Sequence, residues 1–286
     1  MESKKPLSLL LVGKIGTGKS STGNSIIQRS SFVSKRSCKG VTVAGQLETS
    51  NLDGRSISVI DTPGMCDGTL PLDDLRNAFR VSLQLSPSGV SAIILVLSVN
   101  TRISDEEIQL FQELGTIFGR DWARWLVVVW THVDQLTDDG TTLEEFLEGS
   151  PRQLLQLMTA AGGRSVAFDN RAADSSVKLK QISLLLAEAD KVLRNNDDEP
   201  YTSEMFDAAT LAANPPLKGK KARRLRQQEV MRKRHEQLQK ERSEAGSSAL
   251  STLPLVGWLI SIFSSNDASS SSPSSTLTST AMADSV

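Results

Sequence analysis

Three short apolar runs divide the amino-terminal half of the chain. They are Leu7–Val12, Ile93–Leu97 and Leu126–Trp130, and each is apolar at successive positions rather than at alternate ones. A strand has this pattern when helices cover both faces of its sheet, because both rows of side chains are then buried. We therefore predict three buried strands.

Helical and hairpin patterns surround these runs. Apolar residues recur every three or four positions in four segments, of which one opens at Pro71 and another at the capping box Ser104–Glu107. Residues 41–49 and 56–60 instead alternate around the turn dipeptide Asp53-Gly54, which predicts a hairpin. The apolar positions of the four predicted helices are Leu72, Leu75, Phe79, Leu83, Ile108, Phe111, Leu114, Ile117, Leu154, Leu155, Met158, Leu179, Ile182, Leu185, Leu186 and Ala189.

Strands that alternate with helices, with one hairpin near the start, predict an α/β fold. We expect a mostly parallel, six-stranded sheet with helices on both faces. Residues 6–195 are assigned to this domain, residues 196–244 to a linker and basic helical extension, and residues 245–286 to a short apolar segment and a disordered Ser/Thr-rich tail.

Charge separates the body of the chain from its tail. Residues 1–217 hold 21 Lys and Arg against 27 Asp and Glu, whereas residues 218–286 hold 11 against 6. The basic run Lys218–Arg242 precedes the apolar segment Leu253–Phe263, which is shorter than the ~20 residues that span a bilayer. We expect residues 218–263 to contact an anionic membrane surface, at about 1 kcal/mol per basic residue.

An alternative interpretation of the tail is a solvated charged helix followed by a segment that packs back on the domain. Nucleic acid is disfavoured as a partner because the basic run lacks interleaved aromatic residues. Two cysteines and two histidines are too few for a disulfide framework or a zinc site, and no secretory signal is visible. We expect a cytoplasmic protein, peripheral on the cytosolic face of an intracellular membrane.

The first apolar run leads into GKIGTGKS, which fits the phosphate-binding pattern G-x-x-x-x-G-K-[ST]. Glycines let backbone amides turn toward phosphates, Lys19 supplies a charge to the β- and γ-phosphates, and the Ser20 hydroxyl binds Mg²⁺. A chance glycine-rich turn is the alternative, and the preceding strand disfavours it. The predicted phosphate-binding residues are Gly13, Lys14, Ile15, Gly16, Thr17, Gly18, Lys19, Ser20 and Ser21.

Two further positions complete the predicted Mg²⁺ site. Asp61 follows the second hairpin strand, where a carboxylate can hold Mg²⁺ through water, and Gly64 can bring its amide to the γ-phosphate. Thr42, in the loop before the hairpin, can complete the Mg²⁺ shell when GTP is bound. The alternatives are an ordinary Asp-x-Pro-Gly turn and a plain strand threonine.

The third apolar run leads into Thr131, His132, Val133 and Asp134, where GTPases carry Asn-Lys-x-Asp. An aspartate here accepts the N1–H and N2–H of guanine, a donor pair that adenine lacks. Thr131 and His132 replace the usual Asn and Lys, and a flat imidazole can stack on the base. The alternatives are a loop histidine and a turn aspartate.

With Thr131 and His132 in place of the usual Asn and Lys, the chain resembles the GIMAP family of immune-associated nucleotide-binding (IAN) proteins. These proteins are relatives of the chloroplast outer-envelope import GTPases. The similarity covers about residues 7–195. The stretches that carry it are Gly13–Ile26, Gly40–Thr42, Val59–Asp67, Gly89–Leu97, Arg102–Glu107, Thr131–Asp134 and Val166–Asn170.

The resemblance implies a Ras-like P-loop GTPase domain that binds GTP or GDP with Mg²⁺ and forms a homodimer or oligomer. It also implies that Ser34 lies near the nucleotide, that Asn170 belongs to the last base-contacting motif and that Arg102 acts across a dimer. The catalytic candidates are therefore Arg102, Lys19 and Thr42. An exposed residue before a helix cap is the other interpretation of Arg102.

Met65 stands where Ras-type GTPases place a glutamine that orients water, so we expect slow or dimer-stimulated hydrolysis. A scaffold that binds GTP or GDP without turnover is the alternative. A third interpretation is an ATPase or small-molecule kinase, which is disfavoured because Asp134 matches the donors of guanine rather than those of adenine.

Overall fold

Six strands form one sheet in the computed structural model, which describes residues 5–33, 45–65, 71–100 and 103–213. Their order across the sheet is β2-β3-β1-β4-β5-β6, and every neighbouring pair is parallel except the β2–β3 hairpin. The predicted six-stranded, mostly parallel sheet is confirmed. The strands are β1 (Leu7–Val12), β2 (Gln46–Leu52), β3 (Arg55–Asp61), β4 (Ala92–Ser98), β5 (Leu126–Thr131) and β6 (Ser165–Phe168).

The helices of the described residues include the four predicted from periodicity, which are α2, α3, α6 and α7. Periodicity did not indicate α4 and α5, because five or six residues are too few to show a helical repeat. The helices are α1 (Lys19–Ile27), α2 (Leu72–Gln84), α3 (Asp105–Phe118), α4 (Val133–Asp138), α5 (Leu143–Leu147), α6 (Arg152–Ala160), α7 (Ser175–Asn195) and α8 (Ser203–Ala213).

Burial along the strands follows their place in the sheet. Every residue of β5 is buried, as are Ala92–Leu97 of β4, because helices cover both faces of the sheet centre. β2 lies at the edge and has no buried residue, and its turn at Asp53 and Gly54 uses positive φ angles of 49° and 76°. The sequence did not predict β6, because a strand of four residues with only Val166 and Phe168 buried has no long apolar run.

The chain after α7 returns to the sheet and places α8 beside α2 and α3. Tyr201 and Val90 exchange two backbone hydrogen bonds of 2.9 Å, and the Tyr201 hydroxyl donates to the Phe118 carbonyl at 2.7 Å. Burial raises the pKa of Tyr201 far above its ordinary value. The rings packed on Phe118 are those of Phe79, Trp122, Tyr201 and Phe206.

This packing continues past residue 195, where the sequence character changes and the predicted nucleotide domain ends. Phe206 of α8 is fully buried, so residues 196–213 share the core of the sheet domain. The predicted basic extension beyond Ala213 and the apolar segment lie outside the described residues. In the described part, no helix combines the length and the apolar character needed to cross a membrane.

We expect Tyr201→Phe to lower the free energy of unfolding by about 1–2 kcal/mol, because the buried Phe118 carbonyl loses its donor while the ring packing is kept. Urea denaturation followed by circular dichroism measures this. Leu211→Ala is the matched control: the Leu211 side chain is 61% exposed on α8, so its loss should change stability by less than about 0.5 kcal/mol. Equal effects of the two substitutions would contradict the docking of this segment.

Candidate nucleotide-binding site

The carboxyl ends of the parallel strands meet along one edge of the sheet, where open α/β sheets bind their ligands. Gly13 follows β1, Asp61 ends β3, Thr131 ends β5 and Asn170 comes two residues after β6. The fold thus brings together the phosphate, metal and base motifs that the sequence analysis identified separately.

The phosphate-binding loop after β1 is folded tightly against its neighbours. Gly13 has a φ of 147°, and a Cβ there would lie 2.5 Å from the Val96 carbonyl oxygen, so glycine is required. Gly16 and Gly18 also have positive φ angles, of 84° and 95°. Gly18 is the N-cap of α1, which begins at Lys19, so the helix amino end faces the loop.

Lys19 is buried within this loop. Its ammonium donates to the Gly13 carbonyl at 3.0 Å and to the Lys14 carbonyl at 2.8 Å. These bonds fix the position of the ammonium across the loop. A phosphate cradled by the loop amides would therefore meet an ammonium that is already in place.

Ser20 and Asp61 form the candidate metal site. The Ser20 hydroxyl donates to Asp61 Oδ2 at 2.6 Å, and Asp61 is 2% exposed. Burial raises the pKa of Asp61, and this effect outweighs the Ser20 hydrogen bond and the charge of Lys19. The other oxygen, Oδ1, is buried and accepts no hydrogen bond from the described residues. A buried carboxylate with an open oxygen fits a hard cation such as Mg²⁺.

The segment after β3 lies directly on the phosphate-binding loop. Met65 donates its N–H to the Gly13 carbonyl at 3.1 Å and accepts the Ile15 N–H at 3.1 Å. A Cβ on Gly64 would lie 2.5 Å from Ile15 Cγ1 and 3.0 Å from Lys19 Nζ. Gly64 is therefore placed where its backbone can sense an occupant of the loop.

Thr131 joins the base motif to the phosphate-binding loop. Its side chain is fully buried, and its hydroxyl lies 2.7 Å from the Thr17 carbonyl and 3.0 Å from the Leu97 carbonyl. A hydroxyl with these two acceptors serves as a tie between the two loops. Thr131 thus makes a contact that links the two ends of the predicted nucleotide site.

His132 and Asp134 follow that tie. His132 has a left-handed conformation with φ 62°, and its Nδ1 lies 3.1 Å from both the Ser98 and the Thr131 hydroxyls. Asp134 is in the first turn of α4, and its Oδ1 is buried without a hydrogen bond from the described residues. A ligand that presents N–H donors could form the hydrogen bond that Asp134 Oδ1 lacks.

Asn170 is held by two hydroxyls of α1. It donates to Thr22 Oγ1 at 3.0 Å and accepts from Ser25 Oγ at 2.8 Å. Sequence reasoning missed Thr22, Ser25 and Ser98 because serine and threonine carry no distinctive pattern. The spacing of Thr22 and Ser25, three residues apart on one helix face, was the available signal.

The remaining predicted residues are placed as follows. Val133 begins α4, Ser21 lies in the first turn of α1 and Ile15 is partly exposed on the loop. Ser34, Thr42 and Arg102 lie outside the described residues, so their assignments stay predictions.

A family model described as the AIG1 family matches residues 7–220 of this chain. The chain belongs to the AIG1 family. The resemblance to immune-associated nucleotide-binding proteins drawn from the motifs is thereby confirmed. The AIG1 match includes α8, in keeping with the packing of that helix on the sheet domain.

Curated relatives of this AIG1-family chain come from Arabidopsis thaliana. Immune-associated nucleotide-binding protein 8 is 39% identical over 201 residues, which are 70% of this chain and 57% of the relative. Immune-associated nucleotide-binding protein 10 is 38% identical over 200 residues, 69% of this chain and 43% of the relative. The chain spans about half the length of these relatives.

Among solved structures, Toc33 from Arabidopsis thaliana in complex with GDP and Mg²⁺ is similar to this AIG1-family chain. The identity is 19% and the TM-score is 0.48, with 68% of this chain and 86% of Toc33 covered.

Because the Asp61 carboxylate is buried, we expect its charge to lower the free energy of unfolding of the nucleotide-free protein. Its pKa is raised from 3.8, so its contribution to folding is fully present below that pH and is lost as pH rises through the folded-state pKa. At neutral pH the charged group opposes folding of the nucleotide-free protein. Asp61→Asn should therefore raise the free energy of unfolding, by about 0.5–2 kcal/mol.

Urea denaturation at pH 7 and pH 5 without nucleotide checks this, and the gain should be smaller at pH 5. Asp53→Asn in the exposed hairpin turn is the control, with a change below about 0.5 kcal/mol. A loss of stability in Asp61→Asn at neutral pH would contradict the assigned burial cost.

Proposed function

We propose that this AIG1-family domain binds GTP and GDP together with Mg²⁺ and acts as a nucleotide-dependent switch. The observation that carries the proposal is a pair of buried carboxylate oxygens that accept no hydrogen bond from the described residues. Asp61 Oδ1 is at the phosphate end of the site and Asp134 Oδ1 is at the base end. A guanine nucleotide with its metal supplies a cation at one end and N–H donors at the other.

The phosphate end would work through groups that the fold already orients. The amino end of α1 faces the loop, and Lys19 is fixed across the loop by two carbonyls. Ser20 and Asp61 would hold Mg²⁺, with Thr42 as the further predicted ligand. When bound, Mg²⁺ neutralises charge on the β- and γ-phosphates.

The base end supports a preference for guanine over adenine. The Asp134 carboxylate would gain two charge-assisted hydrogen bonds from guanine N1–H and N2–H, whereas adenine offers no matching pair. Thr131 fixes this loop to the phosphate-binding loop, which sets the distance between the two ends. The relatives' names, immune-associated nucleotide-binding proteins, agree with nucleotide binding.

Hydrolysis is proposed to be slow unless a second copy assists. Met65 occupies the position after Gly64, its side chain is buried in the core, and a thioether cannot orient an attacking water. Arg102 of a second protomer would supply the missing charge in a homodimer or oligomer formed through this domain. A GTP- or GDP-binding scaffold without turnover is the second candidate, and the same Met65 favours it.

We also propose that the protein works in the cytoplasm, peripherally on the cytosolic face of an intracellular membrane. The support is the sequence of residues 218–263, in which a basic run precedes an apolar segment.

Titration of the purified protein with fluorescent GTP, GDP and ATP in the presence of Mg²⁺ tests nucleotide binding. We expect preference for both guanine nucleotides, and loss of binding in Lys19→Ala. Asp134→Asn should weaken GTP binding on the order of 100-fold, because two charge-assisted bonds are lost. The same variant should gain affinity for xanthosine triphosphate, whose C2 carbonyl can accept the new amide N–H.

Asp138→Asn is the matched control, an exposed carboxylate at the other end of α4 that should leave GTP affinity unchanged. ATP binding as tight as GTP binding would show that the base assignment is wrong. Guanine binding that survives Lys19→Ala would show that the phosphate assignment is wrong.

Arg102→Ala tests assistance by a second copy. Turnover per protomer should rise with protein concentration in the wild type, and the substitution should abolish that rise, since an arginine in trans is worth ~10³–10⁵ in rate where it operates. Arg120→Ala, exposed beyond the carboxyl end of α3, should leave the rise intact. If Arg102→Ala keeps full turnover at high concentration, the arginine acts elsewhere and the scaffold becomes the better proposal.

A further inference from the structure

The Lys14 side chain leaves the phosphate-binding loop and contacts the first turn of α3. Its ammonium lies 2.8 Å from a Glu106 carboxylate oxygen and 3.3 Å from Glu107 Oε1. The side chains of Lys14 and Glu107 are only 15% and 11% exposed. Water therefore screens the inner pair weakly, in contrast to an ordinary surface ion pair.

Glu107 uses its two oxygens for different tasks. Oε2 accepts the Ser104 N–H at 3.0 Å and the Ser104 hydroxyl, which closes the capping box of α3, while Oε1 faces Lys14. Burial alone would raise the pKa of Glu107, but the Ser104 bonds and the Lys14 charge outweigh it and hold that pKa below its ordinary value. The carboxylate is thus charged and joined both to the cap and to the loop.

The main chain of the same residue sits at the centre of the phosphate site. The Lys14 carbonyl accepts from Lys19 Nζ at 2.8 Å and from the Thr17 hydroxyl at 3.0 Å. Its two neighbours, Gly13 and Ile15, carry the hydrogen bonds to Met65. A displacement of this segment by a ligand would therefore move the main chain from which the Lys14 side chain extends.

We propose that Lys14 is a positioning residue that ties the amino end of α3 to the state of the phosphate site. The inference rests on the proposed function, because a bound nucleotide is what would shift the loop. Nucleotide phosphates engage the loop amides and Lys19, and the ion pair carries the resulting shift to Glu106 and Glu107. The main chain of Lys14 belongs to the phosphate-binding loop, whereas its side chain forms the link to α3.

The test removes the carboxylate charges and keeps the helix cap. Glu106→Gln combined with Glu107→Gln leaves a glutamine at the third helical position, where its carbonyl can still accept the Ser104 N–H. Asp105→Asn is the control, because it removes an exposed carboxylate from the same turn and so reports the effect of losing one of the two charges at the helix amino end.

Hydrogen exchange provides the readout. The Ile108 N–H bonds to the Ser104 carbonyl at 3.2 Å and becomes exposed when the amino end of α3 frays. Exchange over residues 105–118 is compared in the nucleotide-free, GDP-bound and GMPPNP-bound states of the 286-residue chain with Mg²⁺. In the wild type and in Asp105→Asn, saturation with GMPPNP should change this exchange rate, and the double variant should reduce that change at least about fivefold.

Three outcomes would overturn the inference. They are a wild-type α3 that does not respond to bound nucleotide, a double variant that responds as the wild type does, and a double variant whose α3 exchanges faster by the same factor in every state. The last outcome is the signature of a purely structural pair.

Two further measurements keep the result interpretable. Lys14→Arg should preserve the α3 response to nucleotide because it keeps the charge, whereas Lys14→Met should lose that response. Equal responses of these two variants would overturn the inference, even if the double glutamine variant were too unstable to study.

Titration with nucleotide in the same buffer separates the two proposals. Nucleotide binding without an α3 response overturns only the role of Lys14, whereas absence of binding overturns the proposed function and this inference together.

Discussion

The site depends on the pairing of β1 between β3 and β4. The parallel register sets Leu11 beside Asp61 and Val12 beside Leu95, so the loop after β1 begins level with the candidate metal ligand Asp61. The same register presses Gly13 against the Val96 carbonyl, where a side chain has no room. A slip of one residue would turn every side chain of β1 to the opposite face and would move Gly13 away from the Val96 carbonyl, so the close approach at Gly13 helps to specify the register.

At the functional edge this domain keeps polar groups that are incompletely satisfied. Asp61 and Asp134 each retain a buried carboxylate oxygen without a hydrogen bond from the described residues. By contrast, Arg55 and Asp190 form a two-bond ion pair at 2.8 and 2.6 Å, with Arg55 extending from the start of β3, at the opposite edge. Unsatisfied buried groups cost stability, and under the proposed function a ligand would satisfy these two, which lie at or just after the carboxyl ends of β3 and β5.

Several strands and the phosphate-binding loop could be predicted from the sequence, because each has a recognisable pattern within a short stretch of residues. The buried runs gave β1, β4 and β5, and the loop spacing located Lys19 and Asp61. Contacts between distant segments could not be predicted, since nothing local indicates that the Thr131 hydroxyl binds Thr17 or that Ser25 holds Asn170. The sequence indicates a short possible helix over residues 201–213, where α8 forms, but its docking through Phe206 depends on tertiary packing, as does β6, which buries only two side chains.

Lys14 shows why a motif can identify a site and still leave its connections open. The pattern G-x-x-x-x-G-K-[ST] places no requirement on its second residue, because that residue contributes its main chain to the loop. The side chain is therefore free of the motif's constraint, and in this chain it forms an ion pair with the capping carboxylate of α3. Such unconstrained positions are where one GTPase-like domain can differ from another in what its phosphate site is connected to, while the phosphate chemistry stays the same.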